Sequence, residues 1–127
     1  MLQIIEMLIK IKNGQAVKKE TISVPYSNFK FNVAKILEKE GFVGETKKKG
    51  RNKKRIVIQL KYDNKTPKIH GVKLISKPGR RIYLGKKELY LPKAGHGILI
   101  VSTPKGLLTS KEARKVNTGG EAVCEVW

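Results

Sequence analysis

The sequence predicts an α+β protein of two small lobes, from three observations. Two N-terminal stretches carry apolar residues at helical spacing. A stretch alternating with period two follows them. The second half reads as short strands around one capped helix. Predicted is an N-terminal lobe α-β-α-β-β over residues 1–62, a linker over 63–68, and a mostly antiparallel β lobe with one short helix over 69–127.

In the first lobe, Ile4, Met7, Leu8 and Ile11 recur at helical spacing, and Ile5 and Ile9 widen the stripe. Asn13-Gly14 is the expected end of this helix. Thr21 to Pro25 reads as a strand with Ile22 and Val24 on one face. Ser27 is an expected N-cap for a helix carrying Phe31, Ala34, Ile36 and Leu37, stopped at Gly41. A hairpin should follow, opened by Phe42 and Val43 and closed by Arg55 to Tyr62, with Ile56, Ile58, Leu60 and Tyr62 on one face. Between its strands, seven of the nine residues Lys47 to Arg55 are basic.

Asp63 to Lys68 is polar and holds Pro67, as a linker would. Beyond it, Gly71 to Ser76 is a predicted strand, Lys77-Pro78-Gly79 a turn and Arg80 to Leu84 a short strand. A loop rich in Lys and Gly leads to Gly95-His96-Gly97 and the apolar strand Ile98 to Ser102. Thr103 to Gly106 turns the chain. Thr109-Ser110-Lys111-Glu112 fits a capping box, so a short helix should run to about Val116. After the tight turn Thr118-Gly119-Gly120, a last strand should place Ala122, Cys124 and Val126 on one face.

Charge narrows the function. The chain of 127 residues has 28 Lys+Arg against 10 Asp+Glu, net +18. Residues 1–62 carry 15 basic and 5 acidic groups and residues 63–127 carry 13 and 5, so the excess belongs to both lobes and not to a tail. A compact chain this basic repels itself when free, and a nucleic acid would relieve the repulsion. Cys124 is the single cysteine, so no disulfide closes within the chain, as expected of a reducing cytoplasm. The N-terminal stretch reads as an amphipathic helix and not as a signal peptide, and no apolar run suits a membrane.

Enzyme chemistry finds little to use. His70, His96 and Cys124 are far apart, with no neighbour at metal-ligand spacing, and Cys124 reads best as a small core residue on the last strand. No phosphate-binding glycine loop is present. The expectation is a binding protein with no cofactor and no metal.

Three segments offer nucleic-acid chemistry. Lys48, Lys49, Arg51 and Lys53 in the basic hairpin either reach phosphates or keep a solvated loop from pairing edge to edge. Arg80 and Arg81, held by the Pro78-Gly79 turn, suit phosphate. Tyr83 beside them either stacks on an unpaired base or enters the core. In the third segment Ser102 and Thr103 leave a buried strand, Lys105 and Gly106 form a turn, and Lys111, Glu112, Arg114 and Lys115 lie on the capped helix. Gly119 and Gly120 return the chain so that Glu121 joins the same corner. Hydroxyls and backbone N–H groups there suit the 2′-OH and phosphates of RNA, although an ordinary strand–turn–helix–turn–strand unit would look the same.

These residues also resemble a known family. Ser76-Lys77-Pro78-Gly79-Arg80-Arg81-Ile82-Tyr83, Gly95-His96-Gly97 with Ile98 to Ser102, and Ser102-Thr103-Pro104-Lys105-Gly106-Leu107-Leu108-Thr109 through Lys111-Glu112-Ala113-Arg114-Lys115 to Gly119-Gly120-Glu121 are similar to bacterial-type small-subunit ribosomal protein eight. Met7-Leu8, Ile11-Lys12-Asn13-Gly14 and Leu37 to Phe42 agree, so the resemblance spans nearly the whole chain. It implies a two-lobed α+β constituent of the cytoplasmic ribosome. Such a protein binds the central domain of small-subunit rRNA early in assembly, mainly through its C-terminal lobe, beside neighbouring small-subunit ribosomal proteins. It also implies binding to a mimic of that site on the operon's own mRNA, which represses translation. The family's serine-threonine turn corresponds to Ser102, Thr103 and Lys105, with Tyr83 and Glu121 nearby. Two positions depart from the pattern: Pro104 stands where a second RNA-contacting serine is usual, and Leu2-Gln3 stand where Asp-Pro usually precedes the first helix.

Overall fold

The computed structural model describes residues 2–63 and 66–127; Met1, Asn64 and Lys65 lie outside the described residues, as do the side chains of Leu2 and Gln3. The chain is α+β and divides into two compact units, 2–69 and 70–127.

In the first unit, α1 spans Leu2–Ala16, β1 Thr21–Pro25, α2 Asn28–Lys39, β2 Thr46–Lys49 and β3 Arg55–Gln59. The sheet order is β1-β3-β2, all antiparallel. Ile4, Met7, Leu8 and Ile11 of α1 are buried as their spacing predicts, together with Val33, Ala34, Ile36 and Leu37 of α2 and Ile22, Val24, Ile56 and Ile58 of the sheet. Phe31 is only half-buried; Val33 takes the core position.

Gly14 does not end α1. It lies inside the helix because a Cβ there would meet Ile22 and Leu60 at 2.8 and 2.9 Å. The helix ends at Ala16, and Lys18 follows in the left-handed region. Ser27 caps α2, accepting from Lys30 N–H at 3.1 Å. At the other end Gly41, at φ 82°, makes a Schellman turn: Phe42 N–H donates to Leu37 O at 2.9 Å and Gly41 N–H to Glu38 O at 3.1 Å. Phe42 and Val43 are therefore part of the helix exit and bury without pairing. The hairpin strand begins at Thr46, four residues later than expected. Its partner stops at Gln59, and Tyr62 leaves the alternation to pair elsewhere.

Of residues 63–68, Asp63 pairs with Thr66, and Pro67 with Tyr62, in a two-strand ladder of β4 (Tyr62–Asp63) and β5 (Thr66–Pro67). Lys68 N–H donates to Lys61 O at 3.1 Å. Buried Gln15 then holds the backbone of Ile69 at both its N–H and its carbonyl.

The second unit holds β6 (Val72–Leu74), β7 (Tyr83–Leu84), a left-handed turn at Pro92–Gly95, β8 (Ile98–Thr103), β9 (Gly106–Thr109), α3 (Ser110–Lys115) and β10 (Gly120–Val126). The sheet order is β6-β10-β8-β9, and β7 pairs with the start of β10. The strand expected over 80–84 is shorter. Ser76 Oγ bonds the backbone of Ile82 and holds the arginine turn out of the ladder. Strand β9 was not expected. It pairs with β8 across the Thr103–Gly106 turn and runs directly into α3.

A β-bulge between Ala122 and Cys124 corrects the predicted face of the last strand. Ala122 pairs with Val101 and joins Leu89, Leu99 and Ala113 in the core under α3. Cys124 and Val126 pair with Ile100 and Ile98 on the opposite face. The extra residue, Val123, shifts the alternation by one, and local periodicity cannot show that.

Cys124 is fully buried. Burial, with the Glu125 carboxylate adding to it, pushes its thiol from 9.0 up to about 12. The folded state thus holds the protonated thiol. That stabilisation is complete below pH 9 and is lost as pH rises towards 12. Relative to Cys124→Ala, the wild-type chain should therefore lose stability across this window, with a slope approaching about 1.4 kcal/mol per pH unit. Urea unfolding followed by the fluorescence of Trp127 measures it; parallel pH profiles for the two proteins would refute it.

Candidate nucleic-acid interface

The register of the second sheet brings three candidate residues into one row. Glu121 of β10 pairs with Tyr83 on one side and with Ser102 on the other. Cross-strand partners share a face, so the three side chains stand side by side. This face is the one turned away from α3, since Ser102 alternates with Val101 of the core beneath that helix.

Tyr83 is 66% exposed, which settles its position: it is not in the core. Its ring and hydroxyl have no partner among the described residues. The Ser102 hydroxyl is half-buried and equally free. Between them, Glu121 is largely buried, with one oxygen 3.6 Å from the guanidinium of exposed Arg81. Its other oxygen is buried without a hydrogen-bond partner. The row thus offers an unstacked aromatic face, a hydroxyl and an unfilled acceptor.

Thr103 and Lys105 are bonded within their own corner of the unit. Thr103 Oγ1 donates to Gly106 O at 2.7 Å and accepts from Lys105 N–H at 3.0 Å. Lys105 Nζ donates to Val116 O, 3.1 Å away, at the C-terminal cap of α3. A cation there also complements the helix dipole. The hydroxyl of Thr103 and the ammonium of Lys105 therefore fix the turn and tie it to the helix end, and Pro104 stiffens it further.

At the other end of α3 the predicted capping box is complete: Glu112 N–H donates to Thr109 Oγ1 and Thr109 N–H donates to the Glu112 carboxylate. Lys111, Arg114 and Lys115 are exposed on α3. They lie over the opposite face of the sheet from Tyr83, Glu121 and Ser102, with Ala113 buried between the helix and β8. Arg80 is exposed in the turn that joins its backbone to Lys77 in both directions.

Gly119 and Gly120 are required by closeness. A Cβ on Gly119 would stand 2.2 Å from Leu84 O, and one on Gly120 would stand 2.1 Å from Ser102 O. The first contact also reveals what sequence reasoning missed. The turn at Gly85, closed onto Glu88, lies against Gly119 and holds exposed Lys86 and Lys87 beside the row. The only sequence signal was the lysine-rich loop itself.

In the first unit, Lys48 Nζ sits 4.8 Å from the ring centroid of Tyr26. Lys49 is exposed at the end of β2, and Arg51 and Lys53 are exposed in the tip that follows. Among the described residues no group of His, Cys, Asp and Glu could hold a metal ion, and no helix is long and apolar enough to cross a membrane.

Comparison with known proteins places the chain in a family. A family model described as ribosomal protein S8 matches residues 3–127. The chain belongs to the ribosomal protein S8 family. It is 46% identical over 121 residues to the small ribosomal subunit protein uS8 of Wigglesworthia glossinidia brevipalpis, covering 95% of this chain and 93% of that one. It is 45% identical over 125 residues to the uS8 protein of Dictyoglomus thermophilum, covering 98% and 95%. To that of Mycoplasmopsis synoviae it is 40% identical over 124 residues, covering 96% and 94%. S8 proteins are structural ribosomal components, so the chain has a structural role in the ribosome and is not an enzyme.

Proposed function

We propose that the chain is a constituent of the small subunit of the cytoplasmic ribosome that binds the central domain of small-subunit rRNA directly and supports assembly. The unit 70–127 carries the recognition. The supporting observation is the row Tyr83, Glu121 and Ser102 on the second sheet, with exposed Arg80 and Arg81 just before Tyr83 and exposed Lys86 and Lys87 just after β7. Irregular RNA exposes unpaired bases and 2′-hydroxyls, which an exposed tyrosine ring and free hydroxyl suit. The unfilled Glu121 oxygen would accept from a base amino group or a 2′-hydroxyl. Arg80, Arg81, Lys111, Arg114 and Lys115, with Lys86 and Lys87, would hold phosphates, and Gly106, with open space around it, allows close approach. Lys48, Lys49, Arg51 and Lys53 would touch a second RNA segment.

A surface that reads shape accepts any RNA folded into the same shape. A segment of the operon's own mRNA with that fold would therefore compete for the row, and repression of translation would follow. Neighbouring small-subunit proteins complete the surroundings.

The test is binding of the purified chain to a transcript of the rRNA central domain. Loss of one base stack costs roughly 1–3 kcal/mol, so Tyr83→Ala should weaken binding about tenfold or more while Tyr83→Phe retains it. Absence of binding to this RNA at moderate salt would overturn the reading. Equal binding by Tyr83→Ala would remove the row from it.

A further inference from the structure

We infer that Lys10 and Arg55, flanked by Lys49, form a phosphate clamp on the first unit, a second RNA contact separate from the row on β7, β10 and β8. Lys10 Nζ donates to the carbonyl oxygen of Ser23 at 2.7 Å, and Arg55 Nη2 donates to the same oxygen at 3.1 Å. Arg55 Nε donates to Ser23 Oγ at 2.7 Å. Two cations on one oxygen stand within about 6 Å of each other, where like charges repel.

The sheet register adds a third. Lys49 lies directly opposite Arg55 on the neighbouring strand, a like-charge pair that weakens a sheet. Among the described residues, none of the three has a carboxylate partner. The adjacent Lys47, by contrast, has Glu45 at 3.4 Å. A helix residue and a strand residue thus converge on one oxygen, with a lysine across the sheet from the second, and no anion holds them.

A bridging anion resolves this. Arg55 keeps Nη1 unbonded, and Lys10 keeps two further N–H donors, so both can reach the oxygens of one phosphate. The occupant is an RNA phosphodiester. Arg55 is the first residue of β3 after the hairpin tip that carries Arg51 and Lys53, so a backbone strand has cations to follow beyond the clamp. The inference rests on the chain binding RNA, but not on Tyr83 or its row.

The experiment compares the full-length chain with the Lys10→Met/Arg55→Met double variant on the rRNA central-domain transcript. Binding should weaken about tenfold and the slope of log affinity against log salt should fall by about one, as expected for one phosphate released. The unbound variant should be as stable as the wild type or more so, because a repulsion is gone. Unchanged affinity and slope overturn the clamp, as does a stability loss that accounts for the weaker binding. Tyr83→Ala run in parallel separates the two contacts: loss in only one variant leaves only that contact standing. Acetylation of Lys10 and phenylglyoxal labelling of Arg55 supply the second readout. RNA should protect both. Equal protection by inorganic phosphate or by polyglutamate at matched charge overturns the RNA assignment.

Discussion

Gly120→Ala should unfold the second unit under conditions where the wild type is stable. The added methyl would lie 2.1 Å from Ser102 O, 2.9 Å from Ser102 C and 3.1 Å from Thr103 Cα. All three are backbone atoms of β8, so no side chain can swing away, and β10 must leave the strand it pairs with along most of its length. Overpacking costs about 1–3 kcal/mol and occasionally more; against backbone that cannot swing away the upper end applies, a large share of the roughly 5–15 kcal/mol that holds a domain together. Gly79→Ala is the comparison. Gly79 has φ of 81° but nothing within 4 Å, so its substitution costs only the left-handed backbone penalty, about 1 kcal/mol. Urea midpoints read from Trp127 fluorescence should fall far more for Gly120→Ala. Equal falls would show that β10 does not sit as tightly on β8 as described. RNA binding should be lost together with the fold, because the pairing of Glu121 with Ser102 exists only in the register that Gly120 permits.

Replacing Arg80, Lys111 and Arg114 together by glutamine should leave the unit folded and reduce its affinity for the rRNA central domain roughly a hundredfold. All three are exposed, and none has an ion-pair partner among the described residues, so little folding energy is removed. Each phosphate contact contributes about 0.9 to the slope of log affinity against log salt. The triple variant should therefore lose two to three units of slope, about one for each contact. The geometry makes the partition informative. Arg80 belongs to the turn before Tyr83, whereas Lys111 and Arg114 sit on α3 over the other face. If Arg80→Gln alone accounts for the whole loss, the RNA lies on the row's face only. If the α3 pair contributes equally, the RNA wraps the edge of the sheet beside the Lys105 turn. An unchanged slope in the triple variant would remove phosphate contact from this unit altogether.

Much of this molecule is legible locally. Ser27 and Thr109 cap helices where their sequence contexts say they should, because a cap needs only groups within four residues. The period of Ile4, Met7, Leu8 and Ile11 states which face of α1 is buried. The errors fell where a distant partner decides. Gly14 looked like a stop and is a packing site, because Ile22 and Leu60 press on it. Phe42 and Val43 looked like a strand and are a helix exit. The ammonium of Lys105 meets Val116 O at the end of α3, eleven residues on, a contact that the motif around it does not show.

By itself, the sequence determined the charge, the α+β class, most elements and the family, since these follow from composition, short-range periodicity and a motif read in order. The tertiary structure alone decided that Tyr83, Glu121 and Ser102 stand in one row, that α3 lies over the opposite face, and that Lys10 meets Arg55 at Ser23. Those facts depend on strand register and on a one-residue bulge at Val123. Both are set by pairing between residues far apart in the chain, which no local pattern records.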